Sequence, residues 1–423
     1  MIAMVVSLVI LIFCGMPIAF SLFLSCLSYF LTTGVSLNIV TQRMIMSIGD
    51  SFTLLAVPFF MFAGAVMNSG GITQRIFKFA DMLVGHITGG MGHANILASV
   101  IFSGMSGSAI ADTGGLGAIE LKAMKDAGYD DDFSLAVTGA SSCIGPVIPP
   151  SVPFVMYGVI AGVSIGKLFL AGVVPGLVMA FAMAIVVYVQ AKRRGYVKKP
   201  RAKLSAMWKC FKESFFALLA PVILIGGIVG GVFTPTEAAI VASVYALILA
   251  FATRSIKVTE LPALIDDTVK TTAMVMAIAA SSVLFGWILT KEQVPKMAAE
   301  FISSVVPNKI FAILLVNLLF LIVGMFMDGT ASLIILTPIL VPLMASYGMD
   351  LVHFGVLMTI NLMIGLLTPP VGMVLYVLSG ISGVSVERIS KCMVPYIFTL
   401  IAVVLFLSFV PQITLFLPSL LSA

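Results

Sequence analysis

The sequence predicts an all-α polytopic membrane protein made of two inverted structural repeats. Three observations carry that prediction: composition, an internal recurrence and one basic loop. Of 423 residues, 60% are hydrophobic and 10% charged, and the mean hydropathy is +1.17. A soluble chain of this size carries roughly 25% charged residues. Gly104-Met105 is followed 45 residues later by Pro149-Pro150, and Gly324-Met325 is followed at the same interval by Pro369-Pro370, the copies standing 220 residues apart. The same offset matches Gly128 to Gly348, Asp130 to Asp350, Ala111 to Ala331 and Pro175 to Pro395. Finally, Lys192, Arg193, Arg194, Lys198, Lys199, Arg201, Lys203, Lys209 and Lys212 crowd between two apolar segments, nine basic residues in a chain of net charge +5.

In chain order, apolar segments fall near 2–31, 50–69, 95–118, 134–165, 168–190, 214–233, 236–252, 271–289, 299–346, 354–380 and 393–420. Met1 to Leu31 has no charge and lacks the basic start of a cleavable signal, so it reads as a retained membrane segment. Several segments exceed one ~20-residue crossing and hold Gly or Pro clusters, which predicts broken or re-entrant helices and about ten to twelve crossings. The basic loop is cytoplasmic by the positive-inside rule, and nucleic acid is not its partner. The uncharged termini are placed outside. An odd number of crossings per half then makes the repeats inverted. The domains are 1–191 for the first repeat, 192–213 for the basic linker and 214–423 for the second repeat.

The first repeat has a hairpin at about 96–118. Its Gly- and Ser-rich run Ser103-Gly104-Met105-Ser106-Gly107-Ser108 weakens a helix. Unpaired backbone cannot face lipid, so this tip must be enclosed or line a cavity. Its partner is a broken helix at about 134–165, where Pro146, Pro149, Pro150 and Pro153 cannot continue a regular helix. Freed carbonyls and Ser hydroxyls there suit a hard monovalent cation. Close packing of small residues, or a kinked but packed helix, explains either break alone. It does not explain why both recur at one spacing.

The second repeat has a hairpin at about 310–346, with tip Gly324-Met325-Phe326-Met327-Asp328-Gly329-Thr330, and a broken helix at about 354–380 around Thr368-Pro369-Pro370. Asp328 is a carboxylate in an apolar run: a cation ligand, a proton carrier, a partner for a cationic group, or a helix cap. Asp112 is expected to cap the returning arm of the first hairpin. Glu237, in Thr234-Pro235-Thr236-Glu237, fits a capping box. Arg43 either pairs with a substrate carboxylate or snorkels to a headgroup, and Lys291-Glu292 is equally open. The five cysteines and three histidines form no metal or disulfide pattern and read as structural. Gly104-Met105-Ser106-Gly107 also fits an intramembrane serine protease, a reading weakened because the equivalent of Ser106 is Phe326. A channel fits less well than alternating access. A P-loop motif G-x-x-x-x-G-K-[ST] does not occur.

These stretches resemble the large membrane subunit of tripartite ATP-independent periplasmic transporters, the DctM family, along essentially the whole chain. The matching runs are Gln42-Arg43-Met44 with Asp50 to Phe60, Phe102 to Ser108, Gly145 to Ser151, Gly231 to Ala239, Leu289 to Gln293, Gly324 to Asp328 and Thr368 to Gly372. The resemblance implies sodium-driven import of an organic acid, of the C4-dicarboxylate or sialic acid class, across the bacterial inner membrane. It implies two protein partners: a soluble periplasmic substrate-binding protein and a small membrane subunit of about four helices, expected as a separate chain. No enzyme activity is implied, and no cofactor beyond sodium as coupling ion. The implied mechanism is that of an elevator-type transporter, a mobile domain with two hairpins sliding against a scaffold.

Carried onto this sequence, the resemblance implies a first sodium site at Ser103, Ser106 and Ser108 with Gly145, Val147 and Pro149. A second would use Gly324, Asp328 and Thr330 with Thr368 and Pro369. Substrate would lie between the tips at Ser106, Ser108, Asp328 and Thr330, with Arg43 or Lys291 supplying positive charge. The family often has Arg where this chain has Lys291, so a point charge replaces a planar fork. The rival within the same superfamily is a stand-alone sodium/dicarboxylate symporter.

Overall fold

The computed structural model describes residues 1–49, 51–69, 71–196, 198–294, 297 and 308–421, the side chains of 13, 47, 48, 104–106, 229 and 421 excepted. Among the described residues there are twenty α-helices and no strand, and eight helical segments are long and apolar enough to cross a membrane. The apolar run 2–31 is two helices, α1 (Ile2–Phe13) and α2 (Ile18–Thr33). Gly15, at φ +76, and Pro17 separate them. Then come α3 (Asn38–Gly49), α4 (Ala56–Ser69) and α5 (Ile72–Val84). Neither α3 nor α5 stands out as an apolar run. Arg43 interrupts α3, and α5 mixes a buried face (Ile72, Ile76, Phe77, Ala80) with Arg75, Lys78 and Asp81.

The first hairpin consists of α6 (Gly90–Ser106) and a returning arm broken into α7 (Ala109–Gly114) and α8 (Leu116–Asp126). It is longer at both ends than the expected 96–118. The first broken helix is α9 (Asp131–Ser142) and α10 (Val152–Ala161), followed by α11 (Ile165–Arg194). The linker expected at 192–213 is mostly helical, because Lys192 to Arg194 finish α11 and α12 (Leu204–Val229) begins inside it. Next are α13 (Pro235–Ala252) and α14 (Leu261–Lys291). The second hairpin is α15 (Lys309–Phe326) and α16 (Gly329–Ser346), and the second broken helix is α17 (Leu351–Gly365) and α18 (Met373–Ser382). The chain closes with α19 (Val386–Phe409) and α20 (Pro411–Leu421).

Caps decide where the returning arms start. Ser108 caps α7, its Oγ accepting from the Ala111 amide at 3.4 Å. Asp328 caps α16, accepting from Thr330 at 2.9 Å and Ala331 at 3.1 Å. The expectation for Asp112 is therefore corrected: it lies in the first turn of α7, and Ser108 takes the cap. The expected capping box at Thr234 and Glu237 is present, with Pro235 in the first turn.

Each hairpin is pinned to its own broken helix by a buried amide. Asn95 of α6 donates to Thr138 at 2.8 Å and accepts from Ser141 at 2.6 Å, both on α9. Asn361 of α17 donates to Asn317 of α15 at 2.7 Å, and Asn317 donates to Ser408 at 3.0 Å. Across the middle, α7 packs on α18 and α16 packs on α10, so each hairpin also touches the far half. The Cys143 thiol donates to the Met363 carbonyl at 3.1 Å. Those two positions are equivalents under the 220-residue offset.

At the basic-loop end, Asp130 clamps α9 to α11. Its carboxylate accepts from Arg194, Tyr196 and, at 2.8 Å, the Phe133 amide. Burial alone would raise the Asp130 carboxyl, but hydrogen bonds from Arg194, Tyr196 and Phe133 and the Arg194 charge hold it below the ordinary 3.8. A lowered carboxyl stabilises the fold above its unfolded value and loses that contribution as pH falls through the folded one. Asp130→Asn keeps the helix cap but loses the charge. We expect it to lower stability at pH 7 by up to about 1 kcal/mol, since the pair is partly exposed. Thermal unfolding across pH should show the difference from wild type shrinking below pH 3.8.

The first hairpin tip also has a tight backbone approach. Gly107 has φ +61, and a Cβ there would lie 3.1 Å from the Pro150 oxygen and 3.2 Å from the Val152 nitrogen. Gly162 has φ +68 with nothing within 4 Å. Gly162→Ala should cost about 1 kcal/mol for the left-handed backbone. Gly107→Ala should cost roughly 1–3 kcal/mol more for the crowding, read as a larger drop in unfolding temperature.

Candidate ion and substrate site

At the first tip, Gly107 meets Pro150 and Val152, so the hairpin turn and the break in the broken helix form one centre. Between α9 and α10 the chain runs through turns from Cys143 to Pro150, all buried. Ser103 is buried, and its hydroxyl donates to the Val100 carbonyl at 2.6 Å. A hydroxyl that gives its proton to a carbonyl keeps lone pairs for a cation. Gly145 packs against the Asp112 carboxylate, where any Cβ would collide with Oδ2. The structure therefore adds Asp112, expected only as a cap, to the surroundings of the first break. The Ser106 side chain lies outside the described residues.

Not every freed carbonyl is available. Ser151 caps α10, yet its hydroxyl donates to the Pro146 carbonyl at 2.5 Å. The Val147 carbonyl packs against Gly172 of α11. Pro149 and Pro150 line a small apolar cavity with Phe169, Leu224 and Ile228. Pro149 thus faces α11 and α12, while Gly145 faces the hairpin.

The second centre has the same parts in a more open setting. The Gly372 amide donates to the Met325 carbonyl at 3.0 Å, which ties tip to break. Gly324 and Gly365 touch backbone to backbone; a Cβ on Gly324 would sit 2.9 Å from the Leu362 oxygen. Thr368 donates to the Ile364 carbonyl at 2.9 Å, again leaving its oxygen able to ligate. The Thr330 and Ala331 amides both donate to Asp328 Oδ1. Thr330 is half-buried, and Pro369 and Pro370 are exposed where Pro149 and Pro150 are buried. Both Pro-Pro bonds are cis.

The two basic candidates come together. The Arg43 guanidinium lies 5.8 Å from the Trp287 ring centre, and the Lys291 ammonium lies 5.4 Å from that ring and 5.8 Å from Tyr29. Tyr29 donates to Glu292 at 2.5 Å. Arg43 and Lys291 are exposed, on α3 and at the end of α14. The apolar cluster holding Trp287 also takes in Met327 beside Asp328, so the basic pair flanks the second tip rather than the first. A carboxylate placed there would meet two cations.

Sequence reasoning missed Asn95, Asn317 and Asn361, although a lone amide in an apolar run is a usable signal. It also missed Glu120, which is 1% exposed on α8 in a stretch that reads as a polar connection.

The sequence matches the family model described as "Tripartite ATP-independent periplasmic transporter, DctM component" over residues 5–413. It is 48% identical over 412 residues to the sialic acid TRAP transporter large permease protein SiaM of Vibrio cholerae, covering 97% of this chain and 96% of that one. It is 43% identical to the sialic acid TRAP transporter permease protein SiaT of Haemophilus influenzae, covering 99% of this chain and 68% of that one. The fold resembles the Alcanivorax borkumensis YdaH transporter, with TM-score 0.62 at 14% identity over 88% of this chain and 86% of that one. A match of this extent excludes the protease reading, and the chain belongs to the DctM component family of tripartite ATP-independent periplasmic transporters.

Proposed function

We propose that this protein is the large subunit of a sodium-coupled importer that carries an organic acid across the bacterial inner membrane. Sialic acid is the first substrate we assign, because the permeases at 48% and 43% identity are named for it. C4-dicarboxylates are the second, since a permease named for them is 37% identical. The partners are a small membrane subunit and a periplasmic binding protein. The basic loop faces the cytoplasm and both termini the periplasm. The two halves act as inverted repeats, and the two hairpins travel as a mobile elevator domain.

The observation that carries this reading is the pairing of each hairpin tip with its own break: Gly107 with Pro150, and Met325 with Gly372. Support for a two-fold relation between the halves comes from the Cys143–Met363 contact, since equivalent positions meet at such an axis. Sodium is held at the first break by Ser103, Ser106, Ser108, Gly145, Val147 and Pro149. It is held at the second by Gly324, Asp328, Thr330, Thr368 and Pro369. Substrate sits between the tips, with Arg43 and Lys291 facing its carboxylate. An unpaired carboxylate is costly to bury in such a site. Bound sodium offsets that cost and fixes both tips, so substrate binds well only with sodium present. Moving the two together then uses the sodium gradient.

Asp328 separates charge from capping cleanly. Asp328→Ser keeps a capping oxygen on α16 but removes the negative charge. We expect it to insert and unfold like wild type while sodium-dependent uptake falls at least tenfold. Uptake with unchanged sodium dependence would show that Asp328 is only a cap.

A further inference from the structure

Glu120 is a buried ionisable group that the two sodium sites leave unused. It is 1% exposed, and its Oε1 has no hydrogen-bond partner among the described residues. Its direction follows from its neighbours on α8. A Cβ on Gly117 would lie 2.8 Å from the Thr138 methyl, and Met124 takes a contact from the Asn95 amide at 3.8 Å. Residues three before and four after share a helix face. Glu120 therefore points between α6 and α9, toward the Asn95–Thr138–Ser141 pin that holds the first hairpin to its broken helix.

Among the described residues no cation is paired with it. The helices packed on α8 are α5, α6, α7 and α9. Their ionisable groups are Arg75, Lys78, Asp81, His93, Asp112, Asp131 and Asp132, and of these the Asp112 carboxylate faces Glu120 as a like charge. Lys78, Asp81 and Asp132 are taken up by Glu213, Lys199 and Arg388. On α8 itself, Lys122, Lys125 and Asp126 are exposed. A charged neighbour of Glu120 is thus another carboxylate, which itself lies against Gly145. In the second half the equivalents of Asp112 and Glu120 are Ser332 and Leu340, neither of them ionisable. An uncompensated carboxylate at this depth is expensive to hold, and packing alone is served by leucine.

We propose that Glu120 is a third cation site, where its carboxylate takes up one positive charge, a proton or a sodium ion, next to the first hairpin. The open Oε1 supplies the negative ligand, and the Asn95, Thr138 and Ser141 side chains supply polar partners. A charge bound there neutralises the cluster behind the first break. The first hairpin then docks on α9 with its full complement of bonds only when that charge is present. The proposal rests on the cation-coupled reading above.

The test uses the full transporter in proteoliposomes, comparing wild type with Glu120→Gln and Glu120→Leu, the latter copying Leu340. Uptake is measured against sodium concentration at pH 6, 7 and 8. Unfolding temperature is measured in sodium and in choline over the same pH range. A proton at Glu120 predicts that wild-type uptake changes severalfold across this range and that both variants flatten the profile. A sodium ion predicts that both variants need at least tenfold more sodium for half-maximal uptake and lose part of the sodium-dependent thermal shift. If one variant does not fold, the other is read in the same way. If neither folds, Thr138→Val and Ser141→Ala, which remove proposed polar partners of the bound charge, are read in the same way, and wild-type profiles in both overturn the proposal. Variants that fold and match wild type in both profiles overturn the proposal while leaving sodium coupling intact. Wild-type uptake indifferent to sodium would instead overturn the coupled reading itself.

Discussion

Everything in this architecture depends on satisfying backbone that is not helical in the middle of a membrane protein. A lipid-facing segment cannot leave amides and carbonyls unpaired. The chain meets that constraint by closing each break with a hairpin tip. Gly107 fits against Pro150, and the Met325 carbonyl takes the Gly372 amide. These contacts need glycine because the backbones approach too closely for a Cβ, as at Gly324 and Gly365. Once tip and break are held together, Ser103 and Thr368 present hydroxyl oxygens with lone pairs to spare. The closure of each break and the hydroxyls offered to an ion thus lie in the same two places.

The halves share this plan and differ in how they apply it. The first break is buried and backed by α11, with a carboxylate at Gly145. The second is open, with exposed prolines and an aspartate at the tip. Ser108 and Asp328 fill the same cap position, so the change from hydroxyl to carboxylate adds charge without altering the helix start. The basic pair on Trp287 shares an apolar cluster with Met327 of the second tip.

Much of this was legible in the sequence, because glycine, proline and charge are costly in apolar helices and mark their positions. The recurrence at 104, 149, 324 and 369 located both tips and both breaks. The Thr234–Glu237 box was read correctly from its spacing. Asp112 was not, because a carboxylate near a helix start reads as a cap until the serine four residues earlier takes that role. Glu120 and the three asparagines were missed because their importance lies in burial, and a polar residue on a mixed helix looks like a solvated one. The pairing of Arg43 with Lys291 spans most of the chain and appears only once α3 packs on α14.

The most direct test is uptake of radiolabelled sialic acid into proteoliposomes holding this chain and its small membrane subunit. An inward sodium gradient is imposed with and without the periplasmic binding protein. The account predicts uptake only when both are present. Sodium-driven uptake that ignores the binding protein, or uptake that persists without sodium, would contradict it.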